Sequence, residues 1–346
     1  MTTRPAIEPK TSGRIGLFFP ILVAVLGLVA WTGWWFVVAN RLESGVDQAA
    51  VDLRQAGYQV GWSSRRVEGW PFRTLVRFRD VKLVAPSGHA IAAPRLDAEA
   101  QTYALGKWVA AAPDGIIVTR AEKGQLRITG QAVRASIAGL DRKPPRIVVE
   151  LRKPVFTPLP GADPFPLASA ELVDLYVRPS PATRGAGDLL FRVKGGAPRP
   201  DGMLEWIGGG EPFDLQVEGA ATAVDRFRGT GWPQAARAWS AGGGRLVGVR
   251  GEARTGPTRA SAAGSALTVA ADGRLRGGVD LTLTGGPRSL LALGRTGAVD
   301  PLGARTAAAG MALGSGLDGA VRVRLDFTDE GAKLGPVRLS DSPRIY

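Results

Sequence analysis

The chain has 346 residues, a formal net charge of +13 and no cysteine. Without cysteine it cannot form disulfides, cysteine-ligated zinc sites or iron–sulfur clusters, and it has no thiol nucleophile. Its arginines are spread along the chain instead of gathered in one patch, so we predict no nucleic-acid partner. We still expect the positive charge to attract anionic lipid headgroups.

An uncharged apolar segment near the N-terminus predicts a membrane anchor. Residues 15–39 read IGLFFPILVAVLGLVAWTGWWFVVA, and at about 1.5 Å per residue they can cross a hydrocarbon core of about 30 Å. Arg4, Lys10 and Arg14 precede the segment, and positive charge of this kind predicts a cytoplasmic tail at 1–14. The domain at 40–346 is then periplasmic, and we predict a single-pass protein of the bacterial inner membrane. The predicted anchor residues are Ile15, Leu22, Leu26, Trp31, Trp34, Trp35 and Phe36.

A cleaved signal peptide is the alternative for this segment, since Val37-Val38-Ala39 resembles a cleavage site. A signal peptide core has only about 7–15 apolar residues, and this one is longer and ends in tryptophans, which favour the headgroup layer. We therefore predict an uncleaved anchor. No later stretch approaches the length of a second span.

The pattern changes from helical to extended after the anchor. Leu42, Val46 and Leu53 lie on one helical stripe, which Gly57 ends. From Tyr58 the apolar residues alternate, and Gly69-Trp70-Pro71-Phe72 predicts a corner between two strands, since proline cannot join a ladder. We expect Trp70 and Phe72 to cap the end of a core, with contact to a ligand as the alternative. The three-residue step from Phe78 to Val81 predicts a β-bulge at Arg79-Asp80.

Alternating segments with one polar face recur along the chain and predict a mainly β fold with a few helices, built on a curved and largely antiparallel sheet. Predicted helices are 234–241 and 289–313, the latter broken at Pro301, and predicted loops are 154–166 and 179–187. A subdivision of the domain is expected near 180–200. The clearest strands are 147–152, 213–218, 279–284 and 321–327, followed by 334–339 after a turn.

The sequence contains no recognisable constellation for catalysis. His89, the one histidine, lies in a Pro-Ser-Gly-His turn away from any nucleophile. Neither a phosphate-binding glycine loop nor a nucleophile elbow is present. We therefore predict a non-enzymatic protein without metal or cofactor, with a hydrolase lacking known motifs as the alternative.

Three segments carry a family resemblance: GYQVGWSSRRVEGWPFRTLVRFRDVKL, the stretch from WSAGGGRLVGVRGEART to GGVDLTLTGG, and the closing DEGAKLGPVRLSDSPRIY. Over about residues 41–346 the chain resembles domain of unknown function 2125, a family of alphaproteobacterial envelope proteins. The resemblance brings no catalytic residues. The layout also looks distantly like envelope proteins of the AsmA type, which present a β-groove for lipids.

Two functions are compatible with these observations. The first is a periplasmic protein, tethered to the inner membrane, that binds or shields an apolar ligand such as lipid in a partly open apolar trough. The second is an envelope assembly or scaffold protein whose sheet is covered by its own helices and which acts through contacts with other envelope proteins. The candidate ligand-binding residues are Trp70, Phe72, Val323, Leu325 and Phe327.

Overall fold

The computed structural model describes residues 15–297, 299–314 and 320–346 of the chain. Within these residues one long helix precedes an antiparallel sheet of twenty strands, and shorter helices are inserted late in the chain. The predicted mainly β fold behind one N-terminal helix is confirmed. The helices are α1 (Ile15–Gln55), α2 (Met203–Gly208), α3 (Trp232–Ala241), α4 (Gly286–Arg295) and α5 (Pro301–Gly314), with a 3-10 helix at Val224–Arg226.

The strands contain between 3 and 12 residues each. They are β1 (Gln59–Gly61), β2 (Ser64–Glu68), β3 (Arg73–Val84), β4 (Ala90–Gln101), β5 (Lys107–Ala111), β6 (Ile116–Arg120), β7 (Gly124–Thr129), β8 (Ala132–Ala138), β9 (Arg146–Arg152), β10 (Val155–Pro158), β11 (Leu167–Ser169), β12 (Leu172–Pro179), β13 (Gly187–Pro198), β14 (Phe213–Ala221), β15 (Leu246–Thr255), β16 (Thr258–Val269), β17 (Leu275–Thr284), β18 (Ala320–Thr328), β19 (Gly331–Leu334) and β20 (Val337–Ser340).

The predicted helices are confirmed. α1 runs without a break to Gln55, so the helical stripe does continue the apolar segment. Gly57, with a φ of 85°, then turns the chain towards β1, a conformation that glycine adopts without strain. α3 covers the segment 234–241, and α4 and α5 divide the segment 289–313 before Pro301. The predicted loop 154–166 is wrong in part, because β10 lies within it.

The prediction of a β-bulge at Arg79-Asp80 is wrong, although the strand is irregular at this position. The register of β3 against β4 is the same on both sides, with Arg79 opposite Arg95 and Val81 opposite Ala93. Asp80 is skipped in the pairing and has a φ of 50°. Its opposite position is Pro94, which has no N–H to donate. Both strands are irregular at the same level, so β3 is bent there without an inserted residue.

Most of the sheet consists of two parts that share β13, and β1 to β3 extend it from β4. From β4, the paired strands β5, β8, β9 and β12 lead to β13. A second path from β4 reaches β13 through β6, β7, β10 and β11. These ten strands form a hydrogen-bonded ring round a buried cluster that includes Leu126, Ile128 and Phe156. Beyond β13, strands β14 to β20 continue as an open sheet. The subdivision predicted near 180–200 coincides with β13, and pairing passes through this strand without a gap.

One face of the sheet carries a polar row in which neighbouring strands bring charges opposite each other. Arg77 lies 3.1 Å from Asp97 between β3 and β4, and Arg192 lies 2.7 Å from Asp174 between β12 and β13. This row leaves the other face of the sheet for apolar residues. In order of pairing it comprises Arg66, Arg77, Asp97, Ala111, Arg134, Glu150, Asp174, Arg192, Gln216, Glu252, Ser261, Thr282 and Arg322.

Acid should weaken the fold through these pairs. The guanidinium groups of Arg95 and Arg77 hold the pKa of Asp97 below its ordinary 3.8. A carboxyl group with a lowered pKa in the folded state stabilises above its unfolded pKa, and this contribution is lost as the pH falls below 3.8. The wild type should lose unfolding free energy between neutral pH and about pH 3. Asp97→Asn should lose less, by at most about 1 kcal/mol, because ion pairs near the surface are weak. Guanidinium titrations at both pH values measure this, and equal acid sensitivity of wild type and variant would contradict it.

Candidate functional site

A single apolar row crosses the sheet on the face opposite the polar row. Following the pairing from β2 to β18, each residue lies opposite the next, and every one is valine, alanine, leucine, phenylalanine or glycine. At about 4.8 Å between neighbouring strands, its twelve spacings make a path of about 58 Å. In order, the row comprises Val67, Val76, Ala98, Ala110, Ala135, Val149, Leu175, Phe191, Val217, Gly251, Ala262, Leu281 and Val323.

The apolar row is only partly covered. Val76 is buried, with 3% of its surface exposed, whereas each of the other twelve residues is half-buried. Residues in the closed core of a domain of this size are normally buried more completely. The row therefore forms a continuous apolar band that the chain covers in part, since Phe191, Ala262, Leu281 and Val323 pack against buried clusters.

Small residues on the central strands make this band a depression. Gly251 and Ala253 on β15 lie opposite Ala262 and Ala260 on β16. Bulkier side chains stand on the strands to either side, so the small residues form a floor between two raised sides. We call this depression the trough. Its sides are formed by Leu215 and Val217 on β14 and by Leu281 and Leu283 on β17.

Separate buried clusters cover the two ends of the strands that form the trough. At the Leu283 end of β17, α4 and α5 pack with β19 and β20 through Leu290, Met311 and Leu334. At the Leu275 end, α3 packs through Trp239. In the middle of the strands, Leu281 packs against both clusters and Ala262 against the second, and both remain half-buried. The helices that the sequence predicts thus cover both ends of these strands.

An apolar cavity of about 390 Å³ lies over part of the trough floor, at Ala253 and Ala260, under α2 and α4. Leu325 and Phe327 line it, together with Leu281 and Leu283. Two of the predicted ligand-binding residues therefore lie at a cavity. Val323, the third on that strand, belongs to the apolar row and packs against the cluster under α4 and α5.

The other two predicted residues, Trp70 and Phe72, lie at the corner that precedes β3, away from the cavity. Their exposed fractions are 50% and 64%, so the prediction that they cap a core is wrong. The corner rests on α1 instead: Trp31 Nε1 donates to Pro71 O at 2.7 Å, and Trp70 Nε1 donates to Thr32 Oγ1 at 3.2 Å. The peptide bond between Trp70 and Pro71 is cis. Indole N–H groups, which sequence reasoning did not use, determine where the corner docks.

The predicted anchor residues differ in exposure along α1. Trp35 is 6% exposed, and its Nε1 donates to Arg73 O at 2.9 Å. Leu22, Leu26, Trp34 and Phe36 are exposed, Trp31 is half-buried, and Ile15 begins the helix. Among the described residues one helix, α1, is long and apolar enough to span a membrane. From Trp31 onwards, one side of α1 faces the sheet domain and the other remains open.

The described residues contain no group of three or more His, Asp or Glu side chains that could hold a metal ion. His89 lies in the turn between β3 and β4, where its Nδ1 is 3.2 Å from Ser87 Oγ. Arginines lower the pKa of Asp97 and Glu150, and the backbone N–H of Gly195 together with Arg254 lowers that of Asp214. What the structure offers chemically is a long apolar surface bordered by helices.

Comparison with known proteins gives one match. A family model described as an uncharacterised protein conserved in bacteria (DUF2125) matches residues 35–343. No curated protein and no solved structure matches the chain. The matched range begins in α1 at Trp35 and includes the corner, the ring of strands and the trough. The AsmA-type analogy stays a prediction.

Proposed function

Because the chain belongs to the DUF2125 family of uncharacterised bacterial proteins, we propose its function from its own structure: it is a membrane-tethered periplasmic protein that binds the acyl chains of lipid in the trough. The observation that carries this proposal is the apolar row, of which twelve of thirteen residues are half-buried. Exposed apolar surfaces beyond a few hundred Å² are rare in soluble domains unless they bind something.

The shape of the surface supports a lipid chain over a compact ligand. The row is about 58 Å long at about 4.8 Å per strand, and small side chains form the floor of the trough on β15 and β16. A flexible hydrocarbon chain can follow such a path, and burying it gains about 0.8 kcal/mol per methylene group. A protein partner would need a broader matching surface.

The tether supports the same proposal. Every residue from 19 to 30 of α1 is exposed, as expected of a helix that lipid surrounds. Arg4, Lys10 and Arg14 precede the helix, which supports a periplasmic sheet domain in this proposal. The apolar row begins on β2 and β3, next to the part of α1 that the corner contacts.

One observation favours the scaffold function as a second candidate. α3, α4 and α5 cover part of the apolar face, with Trp239, Leu290 and Met311 buried beneath them. A sheet that covers its own face needs no ligand there. Lipid binding is still our first choice, because the residues in the middle of the row are half-buried and not fully covered.

Cross-linking with a photoactivatable phospholipid tests the proposal directly. The full-length chain is reconstituted with the lipid, irradiated and digested, and cross-linked peptides are identified by mass spectrometry. Cross-links on β15 to β18 are expected in addition to those on α1, because lipid surrounding the helix labels only the latter. Labelling confined to α1 would refute lipid binding in the trough and would favour the scaffold function.

A further inference from the structure

Three exposed aromatic residues belong to two joined segments, the first of which is bonded to α1. Trp70 and Phe72 belong to the corner, and Tyr103 is 71% exposed. Thr102, the neighbour of Tyr103, donates its backbone N–H to Phe72 O at 3.0 Å. The corner and the loop 102–106 between β4 and β5 are thereby joined. Trp70 and Phe72 contact α1 through Thr32 and Trp31, and the remaining part of each ring is exposed.

Two further contacts make this surface a rigid unit. The hydroxyl groups of Thr74 and Thr102 lie 3.2 Å apart and are fully or almost fully buried. Arg73 N donates to Gly69 O at 2.9 Å, which closes the corner. Gly69 has a φ of 105°, and a Cβ there would lie 2.8 Å from Arg73 O, so a larger residue does not fit. The exposed rings are therefore presented by a fixed backbone.

The attachment point on α1 sets the depth of this surface. A hydrocarbon core of about 30 Å takes about 20 residues of helix, which places its outer boundary near Trp34 when it begins after Arg14. The corner is bonded to Trp31 and Thr32. It therefore lies within one helical turn of that boundary, where indole and phenol rings are most favourable.

The charges around the rings suit the same location. Arg73 and Lys107 are exposed at the two ends of the surface, and cations near a leaflet are attracted to lipid phosphates. We propose that this surface, formed by Trp70, Phe72, Arg73, Tyr103 and Lys107, inserts into the headgroup layer of the membrane that α1 crosses. With two attachments the domain cannot pivot freely about α1. β3 then starts at the membrane surface, because it leaves the corner at Arg73. It carries Val76 of the apolar row.

The absence of native cysteine makes a clean test possible. Single variants Phe72→Cys and Tyr103→Cys of the full-length chain are spin-labelled in nanodiscs of phosphatidylethanolamine and phosphatidylglycerol. The accessibility of each label to oxygen and to a water-soluble nickel chelate is then measured. Leu26→Cys reports the hydrocarbon core, and Leu302→Cys, 72% exposed on α5, reports water. We expect the oxygen-to-nickel ratio at both corner positions to exceed that at Leu302 severalfold and to lie below that at Leu26.

The controls separate this inference from the proposal on which it rests. It depends on α1 crossing the membrane but not on lipid in the trough. If the label at Leu26 is as open to nickel as that at Leu302, α1 does not span the bilayer and the inference fails with it. If Leu26 is shielded but Phe72 and Tyr103 are not, the anchor stands and the membrane surface is refuted. Shielding of the corner only in native membranes, and not in pure lipid, would show a protein partner and would also refute it.

Discussion

Replacing Ala262 by tryptophan is expected to exclude lipid from the trough while the chain remains folded. Ala262 lies on the floor of the trough, between Gly251 and Leu281 in the apolar row. It is half-buried and packs against the cluster that contains Trp239, so we expect the larger side chain to fill the trough and to cost about 1–3 kcal/mol of stability through overpacking. The indole would occupy the space of the lipid chain. We expect photoactivated cross-linking to β15–β18 to fall about tenfold, equivalent to about 1.4 kcal/mol in binding.

Ala263→Trp is the matched control for this change. Ala263 is the next residue of β16, is exposed and points to the opposite face of the sheet. The same mass is added to the same strand, so any general effect on folding or on α1 is shared. Ala263→Trp should keep wild-type cross-linking. Equal losses in the two variants, or no loss in either, would contradict binding on the apolar face.

The sequence predicts those elements whose pattern is local. β9, β14, β17 and β18 alternate apolar residues with charged ones, and strands with one polar face are typical of antiparallel sheets. The amphipathic segments that became α3 and α4 could be recognised for the same reason. In each case, neighbouring residues carry the information.

The floor of the trough could not be found in this way. On β15 and β16 the residues facing the trough are Gly251, Ala253, Ala260 and Ala262, too small to give an apolar signal. A glycine-rich stretch is more readily interpreted as turns. The alternation of small residues with Glu252, Arg254 and Ser261 was the one available signal. The continuity of the row also depends on the register of thirteen strands, which no local pattern specifies.

The docking of the corner was equally beyond the sequence pattern. Trp70 and Thr32 are 38 positions apart, and an apolar residue next to a proline looks the same whether it faces a core or a helix. The indole N–H groups of Trp31 and Trp35 each need an acceptor when shielded from water. They find it in the carbonyl groups of Pro71 and Arg73, so the tryptophans predicted to anchor the chain in lipid also bind its own corner.

Replacing Trp239 by alanine should destabilise the domain more than any other change considered above. Trp239 is 3% exposed on α3, and its ring stacks on Phe227 with centroids 5.1 Å apart. Its Nε1 donates to Thr222 O at 2.6 Å. Removing a buried aromatic ring costs about 3–5 kcal/mol, because the cluster beneath α3 cannot close the space. Guanidinium unfolding of the full-length chain in mild detergent, followed by circular dichroism, measures the loss.

Two further variants separate the ring from its hydrogen bond and from the rest of α3. Trp239→Phe keeps an aromatic ring for Phe227 but removes the N–H, so it should cost only about 1–3 kcal/mol for the unsatisfied carbonyl of Thr222. Trp232→Ala removes an indole of the same helix that is 54% exposed and donates to Ile345 O, and about 1 kcal/mol is expected. If Trp232→Ala costs as much as Trp239→Ala, then α3 is held by its exposed end. The buried cluster around Trp239 would then not be the main contact that stabilises α3 against the sheet.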